Sequence, residues 1–130
     1  MLEKLPLFQM ASAMARHATA RHRVVAENVA NADTPEYRAR DVKPFDEYVN
    51  DPFTAKASRF EHTGFAPIRT AATRPEVVLD TETSTSGNGN SVSLEAEMLK
   101  SAASKSQHAM ATAIYKKSHD LLRLGLGRGR

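Results

Sequence analysis

The chain has 130 residues, a net charge of +3, few aromatic residues and no cysteine. Its length allows at most one ordinary domain, and the lack of cysteine excludes disulfide bonds, zinc–thiolate sites and thiol nucleophiles. Alanine is abundant in both terminal thirds, so helices can approach closely but bury little area, and a core this thin often needs partner subunits.

A first helix is predicted from Leu7 to Ala32. Small or apolar residues recur there in steps of four and three, a heptad-like pattern that forms a stripe as narrow as a coiled-coil seam. The stripe consists of Leu7, Ala11, Met14, Ala18, Val25 and Ala32, with Arg21 and Asn28 at its polar positions. Thr34-Pro35 is predicted to end the helix, because proline disfavours helical geometry in the residue before it.

Residues 36–90 differ in character, because they contain four of the six prolines and four of the five phenylalanines. The segment from Glu76 to Asp80 is predicted to form a short strand. The polar residues 81–90 read as a flexible linker. We expect mostly extended chain here, with one hairpin at most and little packing of its own.

A second long helix is predicted from Ser91 to about Leu124, with Ser91 or Ser93 as its N-cap. A stripe with steps of four and three runs along it and ends before a loose basic tail. This stripe consists of Leu99, Ala103, Ser106, Met110, Ala113, Lys117, Leu121 and Leu124.

The predicted fold class is therefore mainly all-α, with two long terminal helices packed as an antiparallel, coiled-coil-like hairpin and an irregular middle. Three regions follow: residues 1–35 with the first helix, residues 36–90 as the irregular acidic middle, and residues 91–130 with the second helix. Counted over residues 1–40, 41–90 and 91–130, the net charges are +2, −3 and +4. This pattern fits either a solvated surface with a basic tail or salt-sensitive contacts between neighbouring copies.

Catalytic and metal-binding patterns are missing from the sequence. The five histidines lack the spacing of metal ligands and are expected at the surface, at His17, His22, His62, His108 and His119. Nucleophile and phosphate-loop motifs do not occur, and no run of 18 apolar residues predicts a membrane span. We expect neither an enzyme nor a cofactor. A basic coiled-coil protein that binds nucleic acid or acts as an adapter remains the alternative to an assembly subunit.

Two asparagines at the end of the first helix favour assembly. Asn28 lies at a seam position, where a buried amide can fix the register between helices by bonding to a matched partner. Asn31 can cap helix carbonyls or adopt left-handed geometry. From the pattern alone, two solvent-facing asparagines at the helix end are the favoured interpretation.

Two segments carry a resemblance to a known family. The segment from Asn28 to Tyr37 reads NVANADTPEY and resembles the motif N-[IV]-A-N-x-x-T-P-G-Y of bacterial flagellar rod and hook proteins. The segment from Gly89 to Met98 reads GNSVSLEAEM and is similar to the segment Gly-Asn-x-Val-x-Leu-Glu-x-Glu-Met of the proximal rod protein family FlgB. The two motifs lie about fifty residues apart, as expected for the shortest rod subunits.

The resemblance implies a structural subunit of the flagellar basal body that forms the proximal rod by helical polymerisation and serves motility. It implies export by the type III export gate, a location in the rod that crosses the periplasm, and contacts with copies of itself, other rod proteins, the FliE adapter protein and the MS ring. No nucleic-acid partner is expected from the residues themselves, because no helix-turn-helix or RNA-binding signature is visible. From the stripes and the motif together, the residues expected at interfaces are Met14, Ala18, Arg21, Val25, Asn28, Asn31, Thr34, Pro35, Tyr37, Leu99, Met110, Ala113 and Leu121.

One position departs from the family motif. Glu36 stands where the family has glycine, at a turn in which glycine takes a positive φ. Either the turn here accepts an ordinary residue, or the chain accepts some backbone strain.

Overall fold

The computed structural model describes residues 6–50, 75–81 and 83–127. In chain order, these form helix α1 (Pro6–Ala30), strand β1 (Arg40–Val42), the short helix α2 (Phe45–Asn50), strand β2 (Val77–Leu79) and helix α3 (Leu94–Gly125). The mainly helical fold class is confirmed. Within the described ranges, no helix is both long and apolar enough to cross a lipid bilayer.

The two long helices pack against each other in opposite directions. At one end, the ring of Phe8 in α1 meets the ring of Tyr115 in α3 edge to face, with centroids 5.0 Å apart. At the other end, the turn after α1 contacts Asn90, which directly precedes α3. The predicted antiparallel helix pair is therefore confirmed.

The contact face of α1 agrees with its predicted stripe. Ala11, Ala18 and Val25 follow one another at intervals of seven residues and are buried. Leu7, by contrast, is exposed. The helix also buries a second face with Ala13, His17 and Val24, whereas the buried Phe8 lies on the side of α3. The α1 stripe is thus wider than a coiled-coil seam, because α1 packs on β1 and α2 as well as on α3.

The contact face of α3 differs from the predicted one. The buried residues of α3 are Glu97, Ser104, Ala111 and Ser118, again at intervals of seven residues. Both serine hydroxyls donate to carbonyl oxygens of their own helix, Ser104 to Ser101 and Ser118 to Ile114, so their burial leaves no donor unpaired.

The stripe that hydrophobicity had selected lies on the opposite side of α3. Its large residues are exposed, and they are Leu99, Met110, Leu121 and Leu124. The two long helices are therefore not paired through this stripe. Small side chains allow two helices to approach closely. In α3 the face with small side chains packs on α1, and the more hydrophobic face does not.

The strands β1 and β2 form an antiparallel pair in which Arg40 lies opposite Leu79 and Val42 opposite Val77. The strand predicted at residues 76–80 is confirmed. Strand β1 and helix α2 were not predicted, because three and six residues are too few to show a period. Ala39 and Val42 are buried beside α1, so this part of the middle region packs more than expected.

His17 corrects the prediction of surface histidines. Its ring is buried, its Nε2–H donates to the carbonyl oxygen of Lys43 over 2.6 Å, and the rings of Phe45 and Tyr48 lie 5.5 and 6.0 Å away. It therefore joins α1 to α2. His22, His108 and His119 are exposed as predicted, and His62 lies outside the described residues.

Candidate functional site: the junction of two sequence motifs

The two motifs of the sequence meet at one end of the helix pair. The turn after α1, from Asn31 to Tyr37, lies against the segment from Asn88 to Ser91 that leads into α3. We call this contact the motif junction. The two segments are about fifty residues apart in the chain, so only the fold brings them together.

Asn90 is the most highly connected residue of the motif junction. Its side-chain Nδ2 lies within hydrogen-bond distance of the carbonyl oxygens of Asn31, Ala32 and Thr34, at 2.9, 2.8 and 2.7 Å. Its Oδ1 accepts from the N–H of Val92 over 2.7 Å. A helix end leaves its last carbonyls without intrahelical donors, and the turn after α1 obtains one from Asn90. Since an amide has two hydrogens, the three oxygens share them.

Asn28 is fully buried and binds the main chain of β1. Its Nδ2 donates to the carbonyl oxygen of Arg40 over 2.7 Å, and its Oδ1 accepts from the N–H of Arg40 over 3.1 Å. The hydroxyl of Tyr37 donates to the same Oδ1 over 3.4 Å. Within the chain, the partner of Asn28 is therefore a peptide unit of β1 and not a matched residue of the other long helix. A role of Asn28 in the register between subunits stays a prediction.

Asn31 caps α1 as predicted. Its Nδ2 donates to the carbonyl oxygen of Glu27 over 2.8 Å, and its Oδ1 accepts from the hydroxyl of Thr34 over 3.2 Å. Its backbone does not have a positive φ, so the left-handed alternative does not apply. The helix ends at Ala30, slightly before the predicted stop at Thr34-Pro35.

Ser91 joins the two segments instead of capping α3. Its N–H donates to the carbonyl oxygen of Tyr37 over 3.0 Å, and its hydroxyl accepts from the N–H of Ala39 over 2.8 Å. The N-cap of α3 is Ser93, whose side chain accepts from the N–H of Ala96. Of the two predicted cap residues, Ser93 is therefore the correct one.

Glu36 has a φ of 60°, in the left-handed region that an ordinary residue enters at a cost of about 1–2 kcal/mol. Its N–H donates to the carbonyl oxygen of Asn88 over 3.1 Å. Of the two alternatives for this position, the strained one is correct. The turn keeps the geometry that suits glycine although the residue is a glutamate.

A cluster of ionic side chains lies next to the motif junction, on the side of β1. Arg21 binds Asp41 with two hydrogen bonds of 3.0 and 2.8 Å, the paired geometry that strengthens a guanidinium–carboxylate contact. Lys100 donates to Asp80 and, over 3.1 Å, to Glu97, which is fully buried. The cluster thus ties α1, β1, the end of β2 and α3 together.

The environment of Lys100 stabilises its charged form. Burial alone would lower the pKa of Lys100, but the hydrogen bonds to Asp80 and Glu97 outweigh it and raise the pKa above its ordinary value of 10.5. The sequence indicated Arg21 as a polar seam position but gave no sign of its partner Asp41. For the contact between Glu97 and Lys100, the sequence did offer a signal, because residues three positions apart on one helix are neighbours.

The predicted interface residues fall into three groups. Asn31, Thr34 and Tyr37 belong to the motif junction, where Pro35 is an exposed turn residue, and Asn28 contacts Tyr37 from α1. Inside the helix pair and its flank lie Ala18, Val25, the half-buried Met14 and Arg21. The remaining four are exposed along α3 and are Leu99, Met110, Ala113 and Leu121. Their roles at interfaces stay predictions. Sequence reasoning missed Asn90 and Ser91 as junction residues, although both lie within the second motif.

The polar groups of the motif junction bind main-chain atoms of the same chain, so the arrangement fixes a backbone shape. Among the described residues, no three histidine, aspartate or glutamate side chains are placed to hold a metal ion. The geometry supports a structural role for these residues.

Comparison with known proteins agrees with the motifs. No protein-family model matches the chain. The chain is similar to the flagellar basal body rod protein FlgB of Agrobacterium fabrum, with 28% identity over 130 residues that cover 98% of this chain and 97% of that protein. The similarity is distant but extends over nearly the whole length. It supports the resemblance to a rod protein, and that relative is a structural protein and not an enzyme.

Proposed function

We propose that this chain is a structural subunit of the bacterial flagellar basal body, of the proximal rod type, and that it builds the rod by helical polymerisation. The distant similarity to a rod protein supports this assignment, as do the two motifs that meet in the motif junction. The observation that carries the proposal is the exposed apolar stripe of α3.

This stripe has the spacing of a helix-packing seam but no partner helix among the described residues. Leu99, Leu121 and Leu124 are 71%, 65% and 72% exposed. Because the opposite side of α3 already packs on α1, the stripe is available to a second helix. If the stripe contacts a different surface of the next copy, the contact generates an open helical assembly when its rotation does not close a ring.

The proposed partners follow from this assignment. They are further copies of the chain, other rod proteins, the FliE adapter protein and the MS ring, with the type III export gate as the route of export. The proposed location is the rod that crosses the periplasm, and the proposed cellular role is flagellum-driven motility. A role for Asn28, Thr34 and Tyr37 in this assembly acts through the fold of the motif junction.

The test compares two leucine-to-lysine variants by sedimentation of the purified chain over a range of concentrations. We expect Leu121→Lys to weaken self-association by about tenfold or more, because a charge replaces an apolar contact in the stripe. Leu126→Lys is the matched control, since Leu126 is exposed beyond the end of α3, and it should leave self-association unchanged.

The same variants test the cellular role. In the bacterium that carries this gene, Leu121→Lys should abolish swimming and Leu126→Lys should not. A wild-type chain that stays monomeric at every concentration, or a Leu121→Lys variant that assembles and swims normally, would contradict the proposal.

A further inference from the structure

A groove lies between α1 and α3 on a different side of α3 from the exposed stripe. Its volume is about 340 Å³. It is lined by Ala18, Thr19, His22, Ser104, Lys105, His108 and Ala109.

The floor and the rim of the groove differ in chemistry. Ala18 and Ser104 are buried and small, and the hydroxyls of Ser104 and Thr19 donate to carbonyls of their own helices. The floor therefore offers little hydrogen-bonding capacity to a neighbour. The rim carries His22, Lys105 and His108, all exposed and without an ion pair to any described residue. An apolar floor under unpaired nitrogen donors suits an apolar side chain that is accompanied by a carboxylate.

We propose that this groove receives the first two turns of α3 of a second copy, with Leu94 and Met98 on the floor and Glu95 at the rim. The inference rests on the proposed function, because it names one contact of that assembly. Leu94 and Met98 are exposed, one helical turn apart, and therefore lie on the same side of α3. Glu95 is exposed beside them and pairs with no described cation.

Charge distinguishes Glu95 from Asp120, the other exposed acid of α3. No basic residue occurs within four positions of Glu95 on either side. Asp120, also next to exposed apolar residues, is surrounded along α3 by Lys116, Lys117 and Arg123, so its charge is already compensated. The negative start and the positive remainder of α3 are complementary, and a contact between them joins two different surfaces. Such a contact continues from copy to copy when its rotation does not close a ring.

A charge exchange tests this contact by sedimentation of the full chain. We expect Lys105→Glu and Glu95→Lys each to weaken self-association by about tenfold, because each places like charges opposite each other. The double variant with both substitutions should recover to within about threefold of wild type, since the pair is restored with exchanged signs. Lys116→Glu is the matched control with the same charge change elsewhere on exposed α3, and it should have no effect.

A second variant tests the groove without changing charge. Ala109→Trp places a large ring at the groove and should weaken self-association about as much as Lys105→Glu, with an unchanged melting temperature because Ala109 is exposed. If the double variant is as weak as the sum of its single substitutions, or if Lys105→Glu behaves like Lys116→Glu, the groove contact is overturned. If the variants give that result while the wild-type chain assembles, the rod proposal still stands. If the wild-type chain is monomeric, the rod proposal and the groove contact are both overturned.

Discussion

Glu36 and Gly89 lie against each other in the motif junction, and both have a positive φ, of 60° and 81°. A Cβ atom added at Gly89 would lie 3.2 Å from Cγ and 3.3 Å from Cα of Glu36. The glycine of the second motif therefore makes room for the residue that stands at the glycine position of the first motif. The two departures from ordinary backbone geometry are neighbours in space.

Gly89→Ala should lower the free energy of unfolding by about 2 kcal/mol, because alanine is strained at this φ and its Cβ would meet the backbone of Glu36. Urea denaturation measures the change. Gly87→Ala is the matched control, since a Cβ there meets nothing within 4 Å and Gly87 has no positive φ. Equal losses in the two variants would contradict the proposed strain.

Glu36→Gly should raise the free energy of unfolding by roughly 0.5–1 kcal/mol, because the relief of left-handed strain exceeds the added entropy of the unfolded chain. Glu36→Ala separates the backbone effect from the loss of charge. It retains the strain and should give no gain in the same urea experiment. A gain of similar size in both variants would assign the effect to the carboxylate instead.

Asn90→Ala should cost about 2–4 kcal/mol, because it removes the donors to three partly buried carbonyl oxygens of the turn after α1. The control is Asn88→Ala. Asn88 is exposed and its side chain accepts one hydrogen bond, from the N–H of Asn90, so the expected cost is only about 0.5–1 kcal/mol. Thermal or urea unfolding decides between them, and similar costs would speak against the role of the Asn90 amide.

Asn28→Leu should destabilise the isolated chain by about 2–4 kcal/mol, because both the N–H and the carbonyl oxygen of Arg40 lose their partner. Unfolding of the monomeric fraction gives the value. A variant with wild-type monomer stability but impaired self-association would instead support a contact of Asn28 with another copy. Loss of motility alone does not distinguish the two, because an unstable subunit also fails to assemble.

The raised pKa of Lys100 predicts a loss of stability in alkali. A lysine whose pKa is higher in the folded chain stabilises it fully below the ordinary value of 10.5, and this contribution disappears as the pH rises through the folded-state pKa. Lys100→Arg should retain its charge there. The free energy of unfolding of wild type should therefore fall more steeply above pH 10.5 than that of Lys100→Arg. The pKa of Lys43 is also raised, by its hydrogen bond to Glu76. Lys43 titrates in both proteins, so it does not account for a difference between their pH curves. Parallel pH curves would contradict the prediction.

Local spacing determined much of this protein. The heptad positions Ala11, Ala18 and Val25 predicted the contact face of α1, and the strand at residues 76–80 followed from a short apolar run between polar residues. The two motifs indicated a resemblance to rod proteins before their contact was known. These features were predictable because helix periodicity, helix ends and motif identity depend on residues close together in the chain.

Only the tertiary structure decided which groups these residues bind. Asn28 binds the peptide of Arg40, Asn90 binds the turn after α1, and Arg21 binds Asp41. These partners are far apart in the chain, and the periodicity of a single helix does not identify them. The packing face of α3 was also decided in three dimensions. Ser104 and Ser118 satisfy their hydroxyls within their own helix and allow α1 to come close, so the small face is buried. The leucine stripe, which hydrophobicity alone assigns to the interior, remains at the surface.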